Sequence, residues 1–393
     1  MFALHYTAEE EAFRAEIRDW LARHLPRTPP PDDEEERRAF QRAWQRKLAA
    51  GGWVGIQWPR AHGGRGATLK EQIIFTEEMA RARAPEILDA VAVNIVGSVL
   101  MDAGSPVQQQ RHLPRILPGD DVWCLGFSEP NAGSDLASLR CRARRDGDHW
   151  IVDGQKVWSS KAHFADWLLL LVRTDTEAPR HRGLSCLIVD MKSAGVTWRP
   201  LVQISGRREF SEVFLEGVRV PVENTVGPVN GGWPIIRRAL AHERGTLWAF
   251  DFKIRLQNGA LALADLYRRV RAGGAGRGDL AALRQQVSQA HIESEVFAAH
   301  TLRLLPRLHA GEDAGADAAL QKLFGSEIQQ RACELSMQLE GAYAQLAMGE
   351  RCAIDRGEWQ ERYLYSRSVT ISSGTSEVLR NLIAQQALGL PRS

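Results

Sequence analysis

The sequence predicts an α+β protein in three consecutive blocks. Residues 1–120 read as an N-terminal α-helical domain, 121–229 as a central β-barrel or sandwich, and 230–393 as a C-terminal four-helix bundle. Three observations carry this reading. Apolar residues recur at helical spacing up to about Asp120. Short β-rich runs separated by turn signals follow to about Pro228. Long Ala/Leu/Arg/Gln stretches then take over from about Gly231.

In the first block, Thr7 with Glu10 is a capping-box pair, and Phe13, Ile17 and Leu21 then share one helix face. A second helix carries Phe40, Trp44 and Leu48. Pro26 to Pro31 is a surface turn, and Gly51 to Gly66 is a glycine-rich loop holding Trp53 and Trp58. Thr68 with Glu71 repeats the capping box ahead of Ile74 and Phe75. In the second block the predicted strands are Val122 to Phe127, Trp150 to Val152, Trp167 to Val172, Leu184 to Met191, Val196 to Val202 and Glu212 to Val220. Asp146-Gly147-Asp148 and Asp153-Gly154 are turn signals between them. Strands this short and regular suggest a small barrel or sandwich. In the third block, helices are predicted over Trp233 to Ala272, Leu280 to Leu308, Ala316 to Gln345 and Ser376 to Leu388, with a glycine-rich loop at Gly273 to Gly278. Arg81 to Arg83 and Arg142 to Arg145 are too short for basic tracts and read as solvated surface.

Composition narrows the function classes. The chain has 393 residues, which suggests two or three domains and a core that needs no disulfide or metal staple. Fifty Lys plus Arg against 48 Asp plus Glu argue against a dedicated nucleic-acid binder. Five cysteines, with no CxxC pair, read as buried thiols in a reducing compartment. The most apolar stretch, Ile87 to Leu100, contains Asp89 and Asn94 and falls short of a membrane span. Glu9, Glu10 and Glu11 stand where a secretory signal would be apolar, so the expected location is cytoplasmic. The 12 tryptophans fit either large core residues or a flat aromatic ligand.

Three segments carry chemistry. Leu125-Gly126-Phe127-Ser128-Glu129-Pro130-Asn131-Ala132-Gly133-Ser134-Asp135 runs from a strand into a turn of small polar residues. Such turns expose backbone N–H groups that can cradle a phosphate or ring carbonyls; taken alone, this one reads as a strand-to-loop turn with Asx caps. Asp153-Gly154-Gln155-Lys156-Val157-Trp158-Ser159-Ser160 sets an aromatic beside two hydroxyls, which suits a flat heterocycle; alone, it reads as a core Trp on a strand. Ser373-Gly374-Thr375-Ser376-Glu377-Val378-Leu379-Arg380 opens a helix with small residues, as an anion-binding helix start or an ordinary N-cap. His62, His163 and His242 lack partners at metal-ligand spacing, and Cys124 is a packing thiol. Ser128 and Ser134 have no nucleophile-elbow context, which excludes a hydrolase.

Together the three segments resemble the acyl-CoA dehydrogenase family over nearly the whole chain. Minor matches are Trp58-Pro59 with Gly63-Gly64, Gln338 before Gly341, and Leu388-Gly389-Leu390-Pro391. The resemblance implies FAD as cofactor and α,β-dehydrogenation of an acyl-CoA thioester to the trans-2-enoyl-CoA. A carboxylate takes the α-proton and the β-hydrogen passes as hydride to flavin N5. It implies that Phe127 and Ser128 line the flavin, that Trp158 packs on it and that Ser160 bonds near N5. Ser134 then lies near FAD or CoA phosphates, and Thr375 and Glu377 hold phosphate or ribityl oxygens. Gln338 makes an adenosine-side contact from a neighbouring subunit, and the Ser373 backbone N–H donates to the thioester carbonyl. The resemblance also implies a homo- or heterotetramer and an electron-transfer flavoprotein as electron acceptor.

Two departures from the family pattern matter. Many members place the catalytic Glu directly before Gly-Thr, where this chain has Ser373. Others place it on an earlier helix before an Arg, and His242-Glu243-Arg244-Gly245 matches that arrangement. Glu243 is therefore the expected base, with Arg244 structural or near CoA. Read without the resemblance, Glu243-Arg244 is an ordinary solvated helix pair. A thioester α-proton is far too weakly acidic for a carboxylate in water. The site must desolvate the base and stabilise the enolate, each preorganised donor contributing roughly 3–4 kcal/mol. The second departure is the family's Arg-x-x-Phe-Gly segment, which reaches a neighbour's FAD. Here the region reads Tyr267-Arg268-Arg269-Val270-Arg271-Ala272-Gly273-Gly274, and neither Arg269 nor Arg271 is assigned to that contact. Two alternatives stand beside the dehydrogenase: a flavin-dependent oxidase or monooxygenase, and a base-poor scaffold subunit of a heteromeric enzyme.

Overall fold

Both predicted capping boxes close the helices they were read from. The Thr7 N–H donates to Glu10 Oε2 at 2.8 Å while the Glu10 N–H donates to Thr7 Oγ1 at 3.3 Å, opening α1 (Ala8–His24). Thr68 and Glu71 repeat the exchange at 2.7 and 3.3 Å ahead of α3 (Leu69–Arg81). Between them, α2 (Glu34–Ala50) is capped by Asp33, whose carboxylate accepts the N–H groups of Glu35 and Glu36. The computed structural model describes residues 5–31, 33–243, 246–273, 280–309 and 315–391. They fall into two compact units. One comprises Phe13–Gln72 and Arg81–Glu243; the other comprises the described parts of 1–12, 73–80 and 244–393.

The first unit buries the predicted helix faces: Phe13, Ile17 and Leu21 of α1, and Trp44 and Leu48 of α2. Trp53 and Trp58 of the glycine-rich loop are also core residues. The Trp58 indole N–H donates to Val93 O at 2.9 Å, and its ring leaves no room for a side chain on Gly97, where a Cβ would meet it at 2.0 Å. A π-turn (Ala92–Val96), α4 (Gly97–Ala103) and α5 (Pro106–Ile116) complete this helical part. The buried Asp89 ties it to the sheet. Its carboxylate accepts from the Ala92 and Trp123 N–H groups at 3.0 and 2.7 Å, and burial pushes its pKa up against the nearby Lys161.

The β-rich runs form β1 (Trp123–Gly126), β2 (Arg142–Asp146), β3 (His149–Ser160), β4 (Trp167–Arg173), β5 (Leu184–Asp190), β6 (Val196–Leu201), β7 (Phe210–Pro221) and β8 (Thr225–Val226). They pair in the order β6-β7-β3-β2-β4-β5-β8, with β1 parallel to β4 off this path. This corrects the barrel expectation. The end strands β6 and β8 share no ladder among the described residues, so the sheet stays open. One face is closed by packing instead: Cys124, Val152, Leu168, Leu170, Val213 and Val218 are among its fully buried residues. Besides the two-residue β8, periodicity misses β2. Of its five residues only Ala143 is buried, and the arginines on either side look like solvated surface. The Asp146-Gly147-Asp148 signal is its hairpin turn to β3, with Gly147 at φ +61°. Helix α6 (Gly232–Glu243) ends this unit.

The second unit holds α7 (Thr246–Ala272), α8 (Leu280–His309), α9 (Gly315–Glu340), α10 (Glu358–Val369) and α11 (Ser376–Gln386). α9 is its axis and packs against the other four. Leu263, Leu266, Leu283, Val287, Leu335 and Leu339 form one core cluster with Trp359. Phe252, Leu256, Phe297 and Ile328 form a second. Among the described residues, no helix is long and apolar enough to cross a membrane.

His112 gives a pH test of this packing. It is 2% exposed, with the Trp123 and Trp167 rings edge-on at 5.1 and 4.9 Å, and burial chiefly, then Arg111, lowers its pKa to about 4. The unfolded chain therefore binds more protons than the folded one between pH 6.5 and about 4, and stability falls as pH drops through that window. Replacing His112 with Phe flattens that part of the melting-temperature profile, which thermal denaturation across pH measures. An unchanged slope contradicts the assignment.

Candidate active site

The first two motif segments meet in the sheet. β1 delivers Phe127, 7% exposed, and the half-buried Ser128 into a tight turn in which Glu129 and Ala132 exchange backbone hydrogen bonds at 3.1 and 3.0 Å. The Val157 N–H of β3 donates to Ser128 O at 2.9 Å. Beside that bond, the Lys156 ammonium, with a side chain 0% exposed, donates to Phe127 O at 3.1 Å and to Glu129 Oε1 at 2.8 Å. The Glu129 carboxylate also accepts the Arg140 and Cys141 N–H groups at 2.7 and 2.8 Å. Gly154 is required where β3 passes this loop: φ is +153°, and a Cβ would sit 2.7 Å from Cys141 Cα.

The β3–β7 ladder bulges between Lys156 and Ser159, and Trp158 takes a left-handed φ of +62°. Left-handed backbone is rare for a bulky residue and signals a surrounding that enforces it. Here it turns the indole outward. Trp158 is 60% exposed, with Phe210 edge-on at 6.1 Å. Ser159 is fully buried and its hydroxyl has no partner among the described residues; Ser160 is half-buried at the strand end, in register with Phe210. Lys161 is left-handed too, and its ammonium donates to Leu88 O. Ser134 lies exposed in the turn.

The third segment opens α11. Ser373 and Gly374 have φ of +53° and +103°, and Lys322 Nζ of α9 donates to Gly374 O at 2.7 Å. Thr375 is the N-cap, its hydroxyl accepting from the Val378 N–H at 3.2 Å. Glu377 is exposed in the first turn, its pKa lowered by its own N–H and by Thr375. The hydroxyl of the buried Ser376 has no partner among the described residues. A surface pocket here is lined by Gln330, Arg331, Thr370, Ser376, Glu377 and Arg380. The buried hydroxyl can take an oxyanion, although Glu327 and Glu377 also line the pocket and Arg331 and Arg380 are paired with Glu293 and Glu327.

Residues 7–120 match the acyl-CoA dehydrogenase N-terminal domain, 124–218 the middle domain and 230–388 the C-terminal domain of that family. The chain belongs to the acyl-CoA dehydrogenase family. It is 37% identical to acyl-CoA dehydrogenase IpdE1 of Mycobacterium tuberculosis, over 97% of this chain and 98% of that one. The solved Tcur3481-Tcur3483 steroid ACAD is 32% identical, covers 100% of both chains and superposes with a TM-score of 0.84. The ChsE4-ChsE5 complex of Mycobacterium tuberculosis is 32% identical over the same full coverage, with a TM-score of 0.79. The chain is thus an oxidoreductase acting on acyl-CoA thioesters, in a family whose members are FAD-dependent.

Within this acyl-CoA dehydrogenase, the structure brings together Phe127, Ser128 and the strand of Trp158 and Ser160, and separately Ser373, Thr375 and Glu377. Gln338 is exposed on α9, 16 residues beyond Lys322, which at 1.5 Å per residue is about 24 Å from the bond to Gly374. Glu243 is the last residue of α6, and its side chain lies outside what the structure describes; Arg244 lies outside the described residues. Arg269 is already engaged: its guanidinium bonds Asp265 at 3.0 Å and Asp355 at 2.7 Å, and Asp355 also accepts the Trp359 indole N–H. Sequence reading missed Lys156 and Glu129 as a pair. The only signal was a lysine and a glutamate inside two motifs, 27 residues apart. No cluster of potential metal ligands occurs among the described residues.

Glu340 lies beside the Arg269–Asp355 pair. It is 1% exposed, and burial first, with the Asp355 charge second, pushes its carboxyl up to about 7 against Arg269. A raised carboxyl contributes stability below its unfolded value near 4.5 and loses that contribution as pH rises through about 7. Replacing Glu340 with Gln raises the melting temperature at pH 8 and leaves it little changed at pH 4.5. Equal differences at both pH values would overturn the assignment.

Proposed function

We propose that this acyl-CoA dehydrogenase binds FAD with Phe127, Ser128, Trp158 and Ser160 along the isoalloxazine and Ser134 near FAD or CoA phosphates. Thr375 and Glu377 take phosphate or ribityl oxygens, and Gln338 makes an adenosine-side contact to a neighbouring subunit's cofactor. The observation that carries the reading is Trp158. A 60% exposed indole on a left-handed backbone, with the half-buried Ser160 two residues on, suits a flat heterocycle. The orphaned Ser376 hydroxyl at the α11 N-terminus fits an oxyanion partner in the same way.

Glu243 is the base that takes the α-proton, and Arg244 lies near CoA. The Ser373 N–H supports the reading of a backbone donor to the thioester oxygen, because a backbone group serves whatever the side chain. Burying Glu243 against an apolar acyl chain raises its pKa toward that of the acid it deprotonates. The bound flavin supplies two-electron acceptance from the β carbon. The electrons then pass to an electron-transfer flavoprotein.

The substrate class is a CoA thioester whose acyl part carries steroid rings. Support comes from the steroid ACAD likeness at 32% identity over the whole chain. The working form is tetrameric and includes a second acyl-CoA dehydrogenase chain. Two unlike chains are named in both solved relatives, and Arg269 is already engaged within this chain. Full-length likeness to enzymes does not favour a base-poor scaffold subunit.

Glu243→Gln tests the base. Exchange of the thioester α-proton falls by roughly 10²–10⁴-fold with FAD retained; wild-type exchange in that variant contradicts the assignment. Comparing kcat/KM for a steroid-ring thioester and a straight-chain one tests the substrate class. A preference of about tenfold or more for the steroid is expected; equal values contradict it.

A further inference from the structure

We propose that the buried Glu129–Lys156 pair is a positioning latch for the flavin face, holding the turn that carries Ser128 in register with the bulged strand that presents Trp158. The inference rests on the reading that these two side chains face FAD.

The geometry is specific to a latch. Glu129 is anchored independently of Lys156, because the Arg140 and Cys141 N–H groups already hold its two oxygens. Lys156 comes from the other strand and closes on two points of the turn, Phe127 O and Glu129 Oε1. Ser128 lies between these two points. Among the described residues, the one other bond from the turn to this part of β3 is Val157 N–H to Ser128 O, which by itself is a single pivot. Two residues beyond Lys156, the strand bulges and Trp158 goes left-handed. With the ammonium in place, turn and bulge are tied at three consecutive residues, 127, 128 and 129. Without it they are free to shift about the pivot, which displaces Ser128 against Trp158. A positively charged side chain that is 0% exposed is costly unless its partners are fixed, and here the carboxylate is fixed by the loop at 140–141. Neither group of the pair is placed to touch substrate. Both act through Ser128 and Trp158.

The test uses the purified holoenzyme and four variants. Lys156→Met keeps length and apolar bulk but removes the ammonium. Glu129→Gln keeps one acceptor and removes the charge. Trp158→Ala and Ser160→Ala report on the flavin face itself. For each, the melting temperature of the apo-protein, the Kd for FAD, and the shape of the visible flavin band are measured. Lys156→Met is expected to melt cooperatively, to bind FAD about tenfold or more weakly, and to shift the flavin band, with Glu129→Gln smaller in the same direction. Wild-type FAD affinity and band shape in Lys156→Met overturn the latch, whether or not its melting temperature falls. If Lys156→Met yields no folded protein, Glu129→Gln decides by the same criteria. If Trp158→Ala and Ser160→Ala also leave FAD binding unchanged, the flavin-face reading itself has failed. If they weaken FAD while Lys156→Met does not, the latch alone has failed.

Discussion

A buried ion pair is worth little as a source of stability, since desolvation offsets most of the Coulombic gain, but it is demanding about geometry. Lys156 and Glu129 show the second property. The ammonium is sealed from water and bonds a backbone carbonyl and a carboxylate on the turn after β1. That carboxylate is also the cap for the loop leading into β2. One charge pair therefore ties together the turn, the loop and the strand that carry two of the three motif segments.

The third segment is built by other means. Ser373 and Gly374 are both left-handed, and Lys322 from the axial helix α9 holds the Gly374 carbonyl. The Thr375 cap then starts α11, its hydroxyl taking the Val378 N–H while the Ser376 N–H goes back to Thr370 O at 3.1 Å. A lysine is the clamp in both places: Lys156 for the strand motifs, Lys322 for the helix motif. In a chain with only seven lysines among fifty basic residues, two serve inside the fold rather than on its surface. A flexible stem ending in a compact point charge suits reaching one carbonyl in a crowded interior, where the planar guanidinium would demand a wider opening.

Local signals were legible wherever they rested on neighbouring residues. Both capping boxes, the Phe13–Ile17–Leu21 face, the long β4 and β5 runs and the Asp146–Asp148 hairpin turn follow from short-range chemistry. The α-β-α order was legible for the same reason. What failed depended on partners far along the chain. β2 was hidden because four of its five residues are solvated and charged. Barrel closure depends on whether β6 and β8 meet, which no window reports. Sequence leaves Arg269 unassigned, because its partner Asp355 lies 86 residues on. Half of the twelve tryptophans, Trp44, Trp53, Trp58, Trp123, Trp150 and Trp359, are buried packing residues, while Trp158 and Trp198 are exposed, Trp158 the more so. The candidate base owed its selection to resemblance rather than to periodicity, since Glu-Arg pairs are common in any helix of this composition.

The central claim is that this acyl-CoA dehydrogenase presents Trp158 and Ser128 to a flavin that its thioester substrate reduces. Anaerobic titration of the flavin-loaded protein with a panel of acyl-CoA thioesters tests it most directly. The account predicts that one equivalent of a suitable thioester bleaches the oxidised flavin band and yields the 2-enoyl product in matching amount. A flavin that no thioester bleaches, or a chain that takes up no flavin with or without a partner chain, would contradict it.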